Sequence, residues 1–200
     1  MTTDSNGRSD AIPTKTIQWA SSWPKLAGED ERHRIFSYLE ERFGISVKHF
    51  DGYLLLGKKR SWFLIRETAF LETACQLKAV QAGLRSFQRV GEFIKPTTRF
   101  IQSFGRHATK ARLPVSMMQL RDLVRGERIR VDMPIDNGYV ILVSGEDHIL
   151  GLGLYVNGNV ASQLPKKEIR SAMFERIAEE MHVDANQDKE EADADQETAR

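Results

Sequence analysis

Hydrophobic residues recur at helical spacing in four segments of the chain, and proline, serine or glycine marks their ends. Proline suits the first position of a helix and glycine suits the residue after the last. Ser116 and Gln119 have the spacing of a capping box, in which each side chain caps the backbone N–H of the other residue. We therefore predict helices over Asp30–Phe43, over Pro96–Phe104, between Ser116 and Gly126, and from Pro165 to about Met181.

Short apolar runs bounded by turn residues predict strands. Tyr53–Ile65 is typical of two strands joined by a Gly-Lys-Lys-Arg turn, whereas residues 66–92 fit both a helix and a strand and stay open. Asn157-Gly158 predicts a tight hairpin, because both central residues of a type I′ turn need a positive φ. Four closely spaced strands predict a small barrel or curled sheet: Arg128–Asp132, Gly138–Ser144, Ile149–Val156 and Asn159–Leu164.

Charge is divided unevenly along the chain, although the net charge of its 200 residues is only +1. Residues 184–200 hold seven acids and two bases, which is a net charge of −5. Of the totals of 28 acids and 29 bases, 21 acids and 27 bases remain, so residues 1–183 carry +6. We predict a basic body of one or two small domains and an acidic, disordered tail that shields its basic face.

Cysteine usage and hydropathy predict a cytoplasmic protein. A single cysteine, Cys75, excludes an internal disulfide framework and a cysteine-rich zinc site. The longest apolar run, Ile149–Val156, has eight residues, against the roughly 20 that a membrane-spanning helix needs. The first ten residues are polar and lack the apolar core of a signal peptide. We expect no membrane partner.

Motifs for catalysis are weak. Gly151-Leu152-Gly153 lacks the third glycine of a dinucleotide-binding loop and lies in a strand pattern, which predicts a strand that another backbone approaches closely. The five histidines have no metal-ligand spacing, and Cys75 has no neighbouring base, which indicates a plain buried thiol. We expect no enzymatic activity, no metal and no cofactor.

The segment 85–112 has seven bases and one acid among its 28 residues. In the helix predicted within it, Lys95, Arg99 and Arg106 share one face with Gln102. Most charge runs are solvated helix faces, but such faces usually mix both signs. An unmixed basic stripe beside a hydrogen-bonding amide favours contact with a phosphate backbone.

Lys166 and Lys167 provide a second signal, because they follow Pro165 in the first turn of the last predicted helix. The helix dipole disfavours each cation there by a few tenths to about 1 kcal/mol. A phosphate bound at the helix start would reverse that preference, and two hydrated lysines are the equal alternative. Tyr155 and Phe104 are candidates for stacking on bases, although aromatic residues at such spacing are more often core.

Several motifs between about residues 83 and 170 point to one family. They are GLR (Gly83–Arg85), KPTTRFIQSFGRHATK (Lys95–Lys110), LRDLVRGERI (Leu120–Ile129), GYVILV (Gly138–Val143) and, most specifically, LGLGLYVNGNVASQLPKK (Leu150–Lys167). Together they resemble the C-terminal PUA-like module of the Nol/Nop/Sun RNA cytosine-5 methyltransferases, which also occurs as a freestanding ribosome-biogenesis protein. ERFGISVKHFDGYLLL (Glu41–Leu56) is similar to the small α/β segment that precedes this module, and the resemblance covers about 130 of the 200 residues.

The resemblance implies an α+β fold, with a small α/β pre-domain followed by a PUA-like β pseudo-barrel. The domains would be residues 28–110 and 111–183, flanked by a largely disordered segment, 1–27, and by the acidic tail, 184–200. The family binds RNA on a helix, the glycine loop after it and the last strands, which here are Leu120–Arg125, Gly126 with Arg128, and Leu154–Lys167. The chain departs from the methyltransferases in lacking their SAM-binding domain and two cysteines, so we expect no methyl transfer by this chain alone.

Two hypotheses of function follow. The first is a noncatalytic RNA-binding protein that binds structured rRNA, or tRNA, in ribosome biogenesis or RNA modification. Its predicted RNA-binding residues are Lys95, Arg99, Arg106, Lys110, Arg112, Arg121, Arg125, Gly126, Arg128, Tyr155, Gln163, Lys166 and Lys167. The alternative is a protein-interaction adaptor or accessory subunit for an RNA methyltransferase or ribosome assembly factor, with the basic stripe facing an acidic partner.

Overall fold

The computed structural model describes residues 23–77, 82–145 and 147–165, which form a mixed α+β protein with two five-stranded sheets. The first half of the chain contains β1 (Lys25–Leu26), α1 (Glu29–Phe43), a 3₁₀ helix (Val47–Phe50), β2 (Tyr53–Lys58), β3 (Ser61–Arg66), α2 (Leu71–Ala74), β4 (Leu84–Val90) and β5 (Phe93–Pro96). The second half contains α3 (Thr98–Phe104), a 3₁₀ helix (Gly105–His107), β6 (Arg112–Pro114), α4 (Met117–Arg125), β7 (Arg128–Arg130), β8 (Gly138–Ser144), β9 (His148–Val156) and β10 (Asn159–Ser162).

The ends of α1 and α4 confirm the predicted capping signals. Gly44 follows α1 with φ of 65°, and Gly126 follows α4 with φ of 91°. At the start of α4, the Ser116 N–H donates to Gln119 Oε1 at 2.9 Å, and the Gln119 N–H donates to Ser116 Oγ at 3.2 Å. The helix predicted after Pro165 lies outside the described residues.

The first sheet is antiparallel throughout and has the order β1-β2-β3-β4-β5. The predicted pair of strands within Tyr53–Ile65 is confirmed as β2 and β3. The open segment 66–92 contains the four-residue helix α2 and the seven-residue strand β4. Leu84 and Phe87, which had helical spacing with Leu77, lie on the strand, and residues 78–81 lie outside the described part of the chain.

The second sheet has the order β6-β8-β9-β10-β7 and curls strongly into a half barrel. All its pairs are antiparallel except β6 with β8. Asn157 and Gly158 join β9 to β10 with φ of 49° and 78°, as the predicted type I′ turn requires. The mixed α+β class and the curled sheet are thus confirmed, whereas the assignment to a PUA-like barrel and the domain boundaries stay predictions.

One hydrophobic cluster is shared by the two sheets, and α3 lies where they meet. On one side, the Phe100 ring packs against Phe87 of β4 with centroids 4.6 Å apart. On the other side, α3 approaches β9 at Gly151, where an added Cβ would lie 2.9 Å from Thr98 Cγ2 and 2.5 Å from the side chain of Leu164. Glycine at this position therefore permits two side chains to pack closely, whereas the sequence predicted a close approach by another backbone.

Candidate nucleic-acid interface

A groove of about 400 Å³ lies where the first sheet, α3 and the end of the second sheet meet. Its polar lining brings Gln163, predicted from the last strands, together with Lys95 and Arg99, predicted from segment 85–112, and adds Arg85. Among the described residues that line it, no aspartate or glutamate is present. We call this feature the basic groove; its lining residues are Gly83, Leu84, Arg85, Gln88, Lys95, Pro96, Thr97, Thr98, Arg99, Gln163 and Pro165.

Arg85 reaches the basic groove because β4 contains a bulge at Ser86. On β3, Ser61 pairs with Gln88 and Phe63 pairs with Arg85, so the register shifts by one residue between them. Arg85 and Gln88 consequently share a face although they are three residues apart. The Arg85 guanidinium donates to Ser61 Oγ at 2.9 Å and lies 3.4 Å from Gln88 Oε1. Both partners are neutral.

Lys95, on β5, lines the basic groove and is half-buried. Its ammonium donates to Gln163 Oε1 at 2.7 Å and lies 5.7 Å from the centre of the Tyr139 ring. Burial lowers the pKa of Lys95, because part of the hydration of the charged form is lost. The two partners are an amide and an aromatic ring, which leave the charge uncancelled.

Thr97 fixes α3 against β4 at the edge of the basic groove. Its hydroxyl donates to the Arg85 carbonyl at 2.7 Å and accepts from the Phe100 N–H at 3.2 Å as the N-cap of α3. The Thr97 N–H donates to the Ser86 carbonyl at 2.8 Å. These contacts place Arg99, in the first turn of α3, beside the strand that carries Arg85.

The predicted basic stripe on one helix is wrong in its geometry. Pro96 ends β5 instead of starting a helix, so Lys95 belongs to a strand and α3 begins at Thr98. Arg106 lies beyond α3 in the 3₁₀ helix, and the Gln102 amide donates to the Leu150 carbonyl at 3.1 Å. The Pro96 ring lies in the core opposite Phe87, and tertiary packing overrides its preference for a helix start.

Three other predicted residues lie in residues 105–112, which we call the post-helix turn. Arg112 forms an ion pair with Asp147, with 2.9 Å between Nη2 and Oδ1, and donates to the Ala108 carbonyl at 3.3 Å. The Arg106 guanidinium lies 3.3 Å from His107 Nε2. Lys110 is exposed, with its N–H bonded to the Phe43 carbonyl. None of these side chains lines the basic groove.

His107 in the post-helix turn stacks on His49, with ring centroids 4.0 Å apart. The pKa of His107 is lowered by burial first and then by the positive charges of His49 and Arg106. The two histidines are 58 positions apart, and their spacing in the sequence gave no sign of this contact. In the described part of the chain, no group of three His, Cys, Asp or Glu residues could hold a metal ion.

The predicted residues around the end of α4 form a separate surface. Arg125, Gly126 and Arg128 are exposed, and Arg128 lies opposite Ala161 on β10. Arg121 is half-buried, and its Nε has no hydrogen-bond partner among the residues that the structure describes. This surface is absent from the lining of the basic groove.

Two aromatic predictions are changed by burial. Tyr155 is only 7% exposed and its hydroxyl lies 3.4 Å from the Met133 carbonyl, so its ring belongs to the core and has no free face for a base. Phe104 is half-buried among Phe50, Phe100 and Tyr53. For Tyr155 and Phe104, the alternative that aromatic residues at such spacing are core residues is therefore confirmed.

Two predicted lysines lie outside the described residues, and the predicted buried thiol is confirmed but does not line the groove. Lys166 and Lys167 lie outside, directly after Pro165, which lines the basic groove. Cys75 is a buried free thiol, as predicted, and burial raises its pKa.

Comparisons with known proteins do not identify the chain. It matches no protein-family model, and no curated protein is similar to it. In the ranges that the model describes, no helix is long and apolar enough to cross a membrane. The function therefore has to be argued from the geometry.

Proposed function

We propose that this chain is a noncatalytic RNA-binding protein whose basic groove holds the phosphate backbone of a structured RNA. The proposed ligand is rRNA, with tRNA as the second choice, and the proposed role is in ribosome biogenesis or RNA modification. The observation that carries the proposal is the convergence of Arg85, Lys95 and Arg99 with Gln163 in one groove that has no acid among its described lining residues.

The electrostatics of Lys95 support a phosphate as the ligand. Lys95 is half-buried, has lost part of its hydration, and contacts an amide and an aromatic ring, which are neutral. Its attraction to an anion is strong, because solvent and salt screen charges less there than at an open surface. Arg85 adds a planar fork of donors, which suits phosphate oxygens. Gln163 accepts from Lys95 through Oε1, and its Nε2 donates one N–H to the Ser162 carbonyl at 3.3 Å. The second N–H of that amide can donate to a sugar or a base.

Of the three elements with which the PUA-like module binds RNA, only the last one, the final strands, reaches the basic groove. In that family the last strands contact RNA, and Gln163 lies in the corresponding segment, Leu154–Lys167. Pro165 lines the basic groove, and Lys166 and Lys167 are the next residues along the chain. These two lysines are proposed as further phosphate contacts.

The test is RNA binding by the full chain over a salt series, with ribosomal-RNA fragments as probes and fluorescence anisotropy as readout. The double variant Arg85→Gln/Lys95→Gln removes two charges from the basic groove and leaves similar hydrogen-bonding side chains. Each phosphate contact on a single strand contributes about −0.7 to the slope of log K against log salt concentration. We expect the slope of the double variant to be smaller in magnitude by roughly 1.4.

Arg34→Gln is the matched control, because Arg34 is exposed on α1 and is not part of the groove lining. It should bind like the wild type. Equal slopes for the double variant and the wild type would move the interface away from the basic groove. Absence of wild-type binding above background would favour the adaptor hypothesis, whose signature is a stoichiometric complex with an acidic protein partner.

A further inference from the structure

The tip of the β4–β5 hairpin exposes two apolar side chains that no fold requirement explains. Phe93 is 75% exposed and Val90 is 45% exposed. The two residues pair directly across the strands, on either side of a two-residue turn, Gly91-Glu92, in which Gly91 has φ of 60°. Together they form a small apolar platform, which we call the hairpin tip.

The hairpin tip continues the face of the sheet that lines the basic groove. On β4 and β5, the pair Val90–Phe93 is followed by the pair Gln88–Lys95, two residues further along each strand. Side chains two residues apart on a strand point to the same face, about 7 Å from each other. The Phe93 ring therefore stands next to Lys95 on one continuous surface, outside the groove's own lining.

The edge position of β5 favours a base over a peptide as the occupant. An edge strand can accept a strand from another protein, but β5 has only four residues and ends at Pro96, which has no N–H to donate. Stacking on an aromatic face needs no backbone pairing, and every nucleobase has such a face. The neighbouring cations would hold the phosphates on either side of that base.

Resting on the proposed function, we propose that Phe93, flanked by Val90, stacks an unpaired base of the RNA strand whose backbone lies in the basic groove. The site would thus select single-stranded segments such as loops or ends, since a base within a duplex has both faces covered by its neighbours. Glu92, at the turn, opposes this by repelling nearby phosphate, and is the exposed acid of the hairpin tip.

The experiment measures binding of the full chain to an unpaired uridine oligomer of about ten nucleotides and to a fully paired RNA duplex. Phe93→Ala should weaken binding to the oligomer by about 5- to 150-fold, the range for loss of one stacked base, with an unchanged salt slope. Phe93→Tyr should restore it. Phe70→Ala is the matched control, because Phe70 is 79% exposed beside α2 and lies outside the groove lining.

The outcomes separate this inference from the function on which it rests. If Phe93→Ala binds the oligomer like Phe70→Ala while Arg85→Gln/Lys95→Gln weakens it, the base-stacking site is wrong and the RNA-binding groove stands. If Phe93→Ala weakens the duplex as much as the oligomer, stacking on an unpaired base is likewise overturned. If the wild type binds neither probe but sediments as a dimer that Phe93→Ala dissociates, the tip is a contact between copies and both proposals fall.

Discussion

The basic groove and the post-helix turn come from the same charge-rich segment, yet they use their cations differently. In the groove, the donors of Arg85 and Lys95 meet a hydroxyl and two amides, which are neutral groups. In the post-helix turn, Arg112 is paired with the carboxylate of Asp147 and with a backbone carbonyl. The basic groove therefore keeps positive charge available for a ligand, whereas in the post-helix turn part of the charge is neutralised by an ion pair within the fold.

This difference shows why counting charges along a chain overestimates a binding site. Segment 85–112 reads as one basic run, but α3 and its 3₁₀ extension separate its two ends in space. The ligand-binding value of a cation depends on what already neutralises it. We therefore expect variants of the two regions to affect RNA binding and stability in opposite ways.

The largest effect should come from Gly151→Val, which acts on the packing that shapes the basic groove. The new side chain would overlap Leu164 and Thr98, and Gly151 has φ of 150°, which side chains rarely adopt. Overpacking of this kind costs about 1–3 kcal/mol, so the urea midpoint of unfolding should fall. Gly57→Ala is the control, since its Cβ would meet its nearest neighbours at an ordinary 3.7 Å. Equal midpoints for the two variants would mean that α3 and β9 can separate without cost.

Arg112→Gln removes the ion pair of the post-helix turn. We expect a loss of about 0.2–1 kcal/mol of stability, typical of a partly exposed ion pair, with an unchanged salt slope for RNA binding. Arg85→Gln/Lys95→Gln should do the reverse, flattening the slope with little change in stability. Urea unfolding and the salt series measure the two quantities on the same preparations. A slope flattened by Arg112→Gln would make the post-helix turn part of the interface.

A smaller effect concerns pH and the His49–His107 stack in the post-helix turn. The unfolded chain protonates His107 near pH 6.5, whereas in the folded chain its lowered pKa delays protonation to more acidic pH. The unfolded state therefore binds more protons in that interval, and the contribution of His107 to stability falls as pH drops below about 6.5 and levels off below the folded pKa.

The measurement is the difference in urea midpoint between pH values of about 7 and about 5.5. We expect His107→Gln to reduce this difference, because it removes the titrating ring and the repulsion by His49 and Arg106. An identical pH dependence in variant and wild type would exclude His107 as a contributor.

Glu92→Gln should have the smallest effect, a tightening of RNA binding by about twofold, because exposed charges contribute up to about 1 kcal/mol. The gain should disappear at high salt, where exposed charges are screened. Weaker binding by this variant would mean that the Glu92 carboxylate contacts the RNA productively.

Sequence reasoning selected neither Arg85 of the basic groove nor Phe93 of the hairpin tip, for different reasons. Arg85 was part of the charge count but was not selected, since only the bulge at Ser86 turns it toward Lys95. Phe93 had a usable signal: Gly91-Glu92 between apolar residues is compatible with a two-residue hairpin turn, which would have placed Phe93 at its tip. The segment was left open because its apolar spacing also fitted a helix.

Local sequence patterns were enough to predict α1 and α4 with the glycines that end them, the capping box of α4, the Asn157-Gly158 hairpin and a curled second sheet. These follow from local chemistry, since capping and positive φ depend on a few adjacent residues. Only the tertiary structure decided that Lys95 lies on a strand, that Gln163 meets it across 68 positions, and that Tyr155 is buried. Those facts depend on strand register and on packing between distant segments, which no local pattern encodes.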